Sequence, residues 1–264
     1  MLVVVRGAGD LATGIALRLH RAGCSLVMLD VAVPTSVRRT VCFSEAVRLG
    51  EAQVEDVSAR LCKDSGEALE VCSAGDVAVL VDPDGTSIPV LRPQAVVDAI
   101  LAKRNLGTTK DLAPIVIGVG PGFTAPVDCH AVVETKRGHY LGRVILDGSP
   151  IPNTGVPGNI GGFTTERVLR APADGPFEPL AKIGDVVHAG DVVAQVAGEP
   201  MRATIDGVLR GLLQGGVPVV RGMKSGDIDP RCQREHCFSA SDKARAVGGG
   251  VLEALLGLSG RLGD

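Results

Sequence analysis

Residues 2–30 read as strand, phosphate loop, helix and strand, and that order constrains the chain more than any other stretch. Leu2-Val3-Val4-Val5 is short and wholly apolar, the pattern of a parallel strand buried on both faces. It runs into Arg6-Gly7-Ala8-Gly9-Asp10-Leu11-Ala12, after which Leu11, Ile15 and Leu19 share one side of a helix that Gly23 stops. Residues 25–30 form a second apolar strand ending in a carboxylate. In this context Gly7 allows the tight turn, Gly9 lets a phosphate approach the backbone, and Ala12 lets helix and strand pack closely. The helix N-terminus adds unpaired N–H groups and a positive dipole end. Asp30, 23 positions after Gly7, stands where a ribose-binding acid belongs. Asp10 departs from the pattern: it puts a negative charge near the pyrophosphate position, or else caps the helix, with Arg6 available to offset it. The alternative is a strand–helix–strand unit with a tight turn and no ligand.

A chain of 264 residues suits one large or two small domains with a proper core. With no Trp, one Tyr and five Phe, that core must be Val, Leu, Ile and Ala. A net charge of −3 and few rings for bases to stack on predict no nucleic-acid partner. No apolar run approaches the roughly 18 residues of a membrane span, and the N-terminus enters a strand directly, so neither membrane nor signal peptide is expected. Seven cysteines, odd in number and mostly in apolar surroundings, suit a reducing compartment, which predicts a cytoplasmic protein.

Beyond Asp30, Arg38-Arg39 sits near the mouth of the nucleotide site and could take a 2′-phosphate or simply be solvated. Residues 43–49 and 57–71 read as helical, and residues 77–81 as a buried strand closed by the turn Asp82-Pro83-Asp84-Gly85. Residues 93–105 are a helix, or a strand over 95–98 that brings Asp98 to the carboxyl end of the sheet near Lys103, Arg104 and Asn105. Residues 114–119 are the next strand, and its Gly118-Val119-Gly120-Pro121-Gly122 turn can offer N–H groups to an anion. Without a following Lys-Ser/Thr this is a poor ATPase loop. Asp128, His130 and Glu134 share a face on a strand; with His139 they lack a recurring metal spacing, so hydrogen bonding in a polar pocket or solvation is favoured over a metal. Residues 150–163 are too rich in Gly, Pro and Asn for a regular element and make a linker or binding loop.

From Arg167 the character changes. Gly184–Gly190 is echoed by Gly216–Gly222, with Gly, Val and Gly at matching offsets, and short strands alternate with turn glycines. This resembles the biotinyl/lipoyl barrel-sandwich fold. No lysine occurs between Lys182 and Lys224, so a swinging arm is not expected. Cys232, His236 and Cys237 have no evident fourth zinc ligand. Ser241-Asp242-Lys243 starts a last helix, weakened by Gly248-Gly249-Gly250 unless it packs closely on backbone or ligand.

Several strings together are similar to the YqeB-type accessory proteins of selenium-dependent molybdenum hydroxylases. They are Arg6–Gly14, Asp98–Asn105, Gly120–Phe123, Glu134-Thr135 with Arg137-Gly138-His139, Leu141-Gly142-Arg143, Asn153-Thr154-Gly155 with Pro157-Gly158, Gly226–Arg231 and Ser241–Arg245. The resemblance runs from residue 2 to about residue 256 and implies a factor that assembles or inserts a cofactor. It implies as partners a molybdenum hydroxylase or other maturation proteins, and leaves a homo-oligomer open.

The expected fold is α/β. A Rossmann-like parallel sheet over 1–165 binds a nucleotide, a barrel-sandwich-like β module follows over 166–230, and a C-terminal helix over 231–264 packs back on the α/β domain. The expected cofactor is NAD(P) or another nucleotide, molybdopterin dinucleotide included. Its site draws on Gly7, Gly9, Asp10, Asp30, Asp98, Lys103, Gly120, Gly122, His130, Arg137, Asp229 and Arg231, gathered in one cleft of positive potential between the N-terminal sheet and the C-terminal half. Competing readings are an NAD(P)-dependent oxidoreductase, with Lys103, His130 or Tyr140 as proton donor but no Tyr-x-x-x-Lys pattern, and a non-catalytic docking scaffold.

Overall fold

A computed structural model describes residues 1–260, which form two compact units. The first comprises residues 1–34, 42–154 and the stretch from Ala240 to the end of the described residues; the second comprises 35–41 and 155–239.

The first unit is built on a nine-stranded sheet. Its strands are β1 (Leu2–Arg6), β2 (Ser25–Asp30), β3 (Glu51–Val54), β4 (Val57–Cys62), β5 (Val77–Val81), β6 (Ala95–Asp98), β7 (Ile115–Val119), β8 (Ala131–Val133) and β9 (Val144–Ile145), in the order 3-4-5-2-1-6-7-8-9. The run from β4 to β8 is parallel, whereas β3 pairs antiparallel with β4 and β9 with β8. Helices α1 (Asp10–Arg21), α2 (Glu45–Leu49), α3 (Ser65–Ser73), α4 (Ile88–Leu91) and α5 (Asp242–Leu258) complete the unit. The central strands are buried throughout their apolar runs, as Val3, Val4, Val5, Ala95, Val96 and Val97 illustrate.

The expected Rossmann-like parallel sheet is corrected by this arrangement: the sheet is mixed, with an antiparallel strand at each edge. The difference begins at residues 57–71, read as one helix. They split into β4, which pairs back on β3, and α3, which starts where Asp64 accepts the Glu67 N–H and Glu67 accepts that of Lys63. Glu55, in the left-handed region at φ 56°, turns the chain between β3 and β4. Apolar residues three and four apart hid that turn, since a short run fits either period.

The second unit contains two four-stranded antiparallel sheets. Its strands are β10 (Val168–Arg170), β11 (Gly175–Pro179), β12 (Val186–Val187), β13 (Val192–Val196), β14 (Glu199–Arg202), β15 (Gly207–Leu212), β16 (Pro218–Val219) and β17 (Lys224–Asp229). The sheet orders are 10-17-15-12 and 14-13-11-16 around a core that includes Phe177, Val193, Leu209, Leu212 and Ile228. The barrel-sandwich expectation is corrected as well. The echo that suggested it corresponds to turns: Gly184, Gly190, Gly216 and Gly222 all adopt left-handed φ around the two-residue strands β12 and β16. Repeated turns fix no closure, and the unit also recruits a distant segment, the Leu212 N–H donating to the Val37 carbonyl.

Candidate functional site

In a run of parallel strands the carboxyl ends lie along one rim. For β5, β2, β1, β6, β7 and β8 these ends are Val81, Asp30, Arg6, Asp98, Val119 and Val133. The chain leaves β1 toward β2 on one side and reaches β6 on the other, so the connections switch sides at Gly7 and Asp98, the place where open sheets leave a crevice.

Gly7, at φ 97°, donates its N–H to the Leu29 carbonyl at 2.7 Å, and a Cβ there would stand 2.9 Å from the Ala99 carbonyl oxygen. Backbone packing therefore requires this glycine. Gly9 is the N-cap of α1, with extended backbone (φ −73°, ψ −173°) and Asp10 as the first helical residue. Asp30 supports the turn through its carboxylate, which accepts the N–H of Ala8 at 3.1 Å and of Val31 at 2.7 Å. Burial pushes the Asp30 carboxyl above its ordinary value, and these two N–H groups oppose the shift. Thr13 and Ser44 both donate to the Ala8 carbonyl.

Arg6 points inward. Buried together, its guanidinium and the Thr108 hydroxyl both meet Asp98, and the Ile100 N–H takes that carboxylate's other oxygen. Beyond Asp98, Leu101 and Lys103 are both left-handed, at φ 61° and 63°, a strain that collects at ligand-binding loops. Lys103 and Arg104 are exposed. A Cβ on Gly122 would lie 2.7 Å from the Arg104 Cα, so the two loops touch through backbone. The Gly120 N–H is taken by the Val133 carbonyl at 2.9 Å, which removes one donor expected for an anion.

After β8, Glu134 is buried and each carboxylate oxygen accepts one N–H at 2.7 Å, from Lys136 and Ile151. Arg137 grips Asp242 with both terminal nitrogens, one at 2.8 Å. Asp242 and Lys243 open α5 behind a Ser241 cap that accepts the Ala244 N–H. Lys243, half-buried, is a residue the motif reading did not single out. Burial pushes its amine below its ordinary value, Arg137 adds to that, and Asp10, Glu134 and Asp242 oppose it. Its signals in the sequence are the capped helix start Ser241-Asp242-Lys243 and the string Ser241–Arg245 that carries the family resemblance, neither of which assigns the lysine a role.

The rim thus brings together Gly7, Gly9, Asp10, Asp30, Asp98, Lys103, Gly120, Gly122 and Arg137 within the first unit. His130 is elsewhere: it precedes β8 and so sits at the amino ends of the strands, its Nδ1 accepting the Val116 N–H at 2.9 Å. There it borders an open groove of about 630 Å³ with Pro93, Pro114, Arg92 and Lys110. Asp229 and Arg231 belong to the second unit, where Arg231 grips Asp229 at 2.6 and 2.9 Å beside Arg210. Burial pushes the Asp229 carboxyl up, and Arg231 with Arg210 more than reverses this. Arg38 and Arg39 donate to the carbonyls of His236, Ser239 and Leu212 in that unit. Among the described residues no group of three or more His, Cys, Asp or Glu is arranged to hold a metal, and no helix is long and apolar enough to cross a membrane.

No family model matches the chain. It is 55% identical over 255 residues, 97% of its own length, to the uncharacterized protein YqeB of Escherichia coli K12. The chain spans 47% of that relative, about half its length. Solved structures that align with it include an aspartoacylase family protein from Mesorhizobium loti (12% identity, 86% of this chain, 84% of that one, TM-score 0.29). A succinylglutamate desuccinylase/aspartoacylase from Rhodobacter sphaeroides aligns at 14% identity over 86% of each chain, with a TM-score of 0.25. At such TM-scores these alignments say nothing about the site.

Proposed function

From the likeness over nearly the whole chain, which supports the YqeB family, we propose that it is a nucleotide-binding accessory segment serving the maturation of molybdenum hydroxylases. The observation that carries the nucleotide part is the Gly7–Asp10 turn, at the crevice between β1 and β6, opening into the N-terminus of α1. A helix N-terminus at the carboxyl rim of parallel strands offers N–H groups and a positive dipole to a phosphate. The strained 99–105 loop adds Lys103 and Arg104 to the same rim. The maturation role follows from the family resemblance: a phosphate-bearing cofactor, or its precursor, is the cargo such a factor handles.

The test is a thermal-shift panel of NAD, NADP, ATP, CTP and molybdopterin nucleotides. A ligand at 100 times its Kd stabilises by about 2.7 kcal/mol. Gly9→Val should abolish the shift, because a side chain there blocks the phosphate, while the extended φ at position 9 suits valine. A wild type that no nucleotide shifts, or a valine variant that binds normally, removes the nucleotide reading. For the maturation role, loss of the chain from its native host should lower molybdenum hydroxylase activity at unchanged hydroxylase protein level; unchanged activity counts against it.

A further inference from the structure

The opposite rim of the nine-stranded sheet, at the amino ends of its parallel strands, carries the groove of about 630 Å³, within the roughly 300–1,000 Å³ range of small-molecule sites. Residues that lead into three adjacent strands line it: Gln94 before β6, Pro114 before β7 and His130 before β8. Ile88, Pro89 and Leu112 add apolar wall.

Backbone N–H groups at the strand starts orient two of the polar side chains. The Leu2 N–H donates to the Gln94 Oε1 at 2.6 Å, and the Val116 N–H donates to the His130 Nδ1 at 2.9 Å. A carboxamide accepts through its oxygen, so Gln94 keeps its NH₂ group for other partners. An imidazole nitrogen that accepts an N–H carries no proton, so in neutral His130 the proton sits on Nε2. The acceptor atoms of both side chains are committed to backbone, and their donors are left to a ligand.

The other polar groups of the groove are Arg92, Lys110 and Asp111, all exposed. Among the described residues no hydrogen bond or ion pair engages the Arg92 or Lys110 side chain. Arg92 closes α4 in the left-handed region, at φ 47°, a position that favours glycine. The groove therefore offers two permanent cations and two oriented neutral donors against a single carboxylate. A ligand with donors of its own finds few partners here, whereas an oxyanion needs only donors. We propose that this groove is a second site, independent of the Gly7–Asp10 turn, for a small organic anion: a carboxylate or phosphate on an apolar body. Arg92 and Lys110 pair with the oxyanion, Gln94 and His130 donate to it, and Pro89, Leu112 and Pro114 cover the body.

Calorimetric titration of the whole chain with inorganic phosphate, phenyl phosphate and benzoate tests this. Phenyl phosphate or benzoate should bind more tightly than inorganic phosphate, which lacks the apolar body, and the tighter of the two identifies the head group. Arg92→Gly, which suits the left-handed backbone, and Lys110→Met should each weaken binding by about fivefold or more, the scale of a lost, partly exposed charge-assisted hydrogen bond. Lys63→Met, exposed just past the carboxyl end of β4, should bind like wild type. In NMR spectra of the wild type, the bound anion should shift the imidazole signals of His130 and leave those of His188, exposed in the second unit, unmoved. The proposal is overturned if the wild type binds none of the three compounds. It is equally overturned if neither Arg92→Gly nor Lys110→Met weakens the binding, or if the His130 signals stay in place when a compound binds.

Discussion

Alanine at two adjacent glycines of α5 should act with opposite signs. At Gly249 a Cβ would meet nothing within 4 Å. Replacing an unencumbered helical glycine relieves a propensity and entropy cost, so Gly249→Ala should stabilise the first unit by about 0.5–1 kcal/mol. At Gly250 the same gain is available, but the Cβ would overlap the carbonyl oxygen of Gly142 and lie 2.9 Å from the Val133 Cγ1. The carbonyl is backbone and cannot rotate aside, so the helix or the 142 turn must move. Overpacking of this kind costs about 1–3 kcal/mol, and more when backbone is displaced. Gly250→Ala should therefore be destabilised by about 1–2 kcal/mol net, leaving the two variants roughly 1.5–3 kcal/mol apart. At about 2–4 °C per kcal/mol for a chain of this size, the melting temperatures should differ by roughly 3–12 °C. The chain's one tyrosine, Tyr140, lies two positions before Gly142, so its fluorescence reports the melting of this unit. If both variants shift the same way, α5 does not rest on the 142 turn.

Two further outcomes follow from the same unit. Asp98→Ala leaves the buried Arg6 guanidinium without its carboxylate and should cost roughly 3–5 kcal/mol, whereas Arg6→Met combined with Asp98→Ala should cost less; urea denaturation measures both, and a single-variant cost below about 1 kcal/mol would contradict the buried pairing. Burial pushes the Glu55 carboxyl up, but Arg21, Arg245 and the Ala240 N–H more than reverse it and hold it below its ordinary 4.5. Its stabilisation is thus present above pH 4.5 and lost as pH falls through the lower folded value. Glu55→Gln should cost on the order of 1 kcal/mol near neutral pH, allowing for the partly exposed arginines, with the difference vanishing in acid; a pH-independent difference would refute the pairing.

The sequence by itself determined the local pieces. The apolar run at 2–5, the Gly7–Asp10 turn, the amphipathic α1 and the strands at 25–30, 77–81 and 115–119 all form where their periodicity places them. So do the Ser241-capped start of α5 and the left-handed turn glycines of the echo. The helix at 57–71 does not, because six residues of β4 satisfy either period until the β3 partner is known.

What only the tertiary structure decided is which ends and which side chains meet. As a basic residue His130 is expected in the cleft with Gly7, yet β8 begins at Ala131 and runs parallel to β7, which puts His130 at the other end of the sheet. Arg6 looks in the sequence like a cation for the phosphate, but Asp98 and Thr108, brought beside it by the β1–β6 pairing, turn it inward. Ala244 lies 230 positions from Gly14 and meets it because glycines let α5 close on α1. Periodicity reports the geometry of a few consecutive residues. Strand direction, side-chain pairing and backbone contact arise between segments far apart in the chain, and no local pattern encodes them.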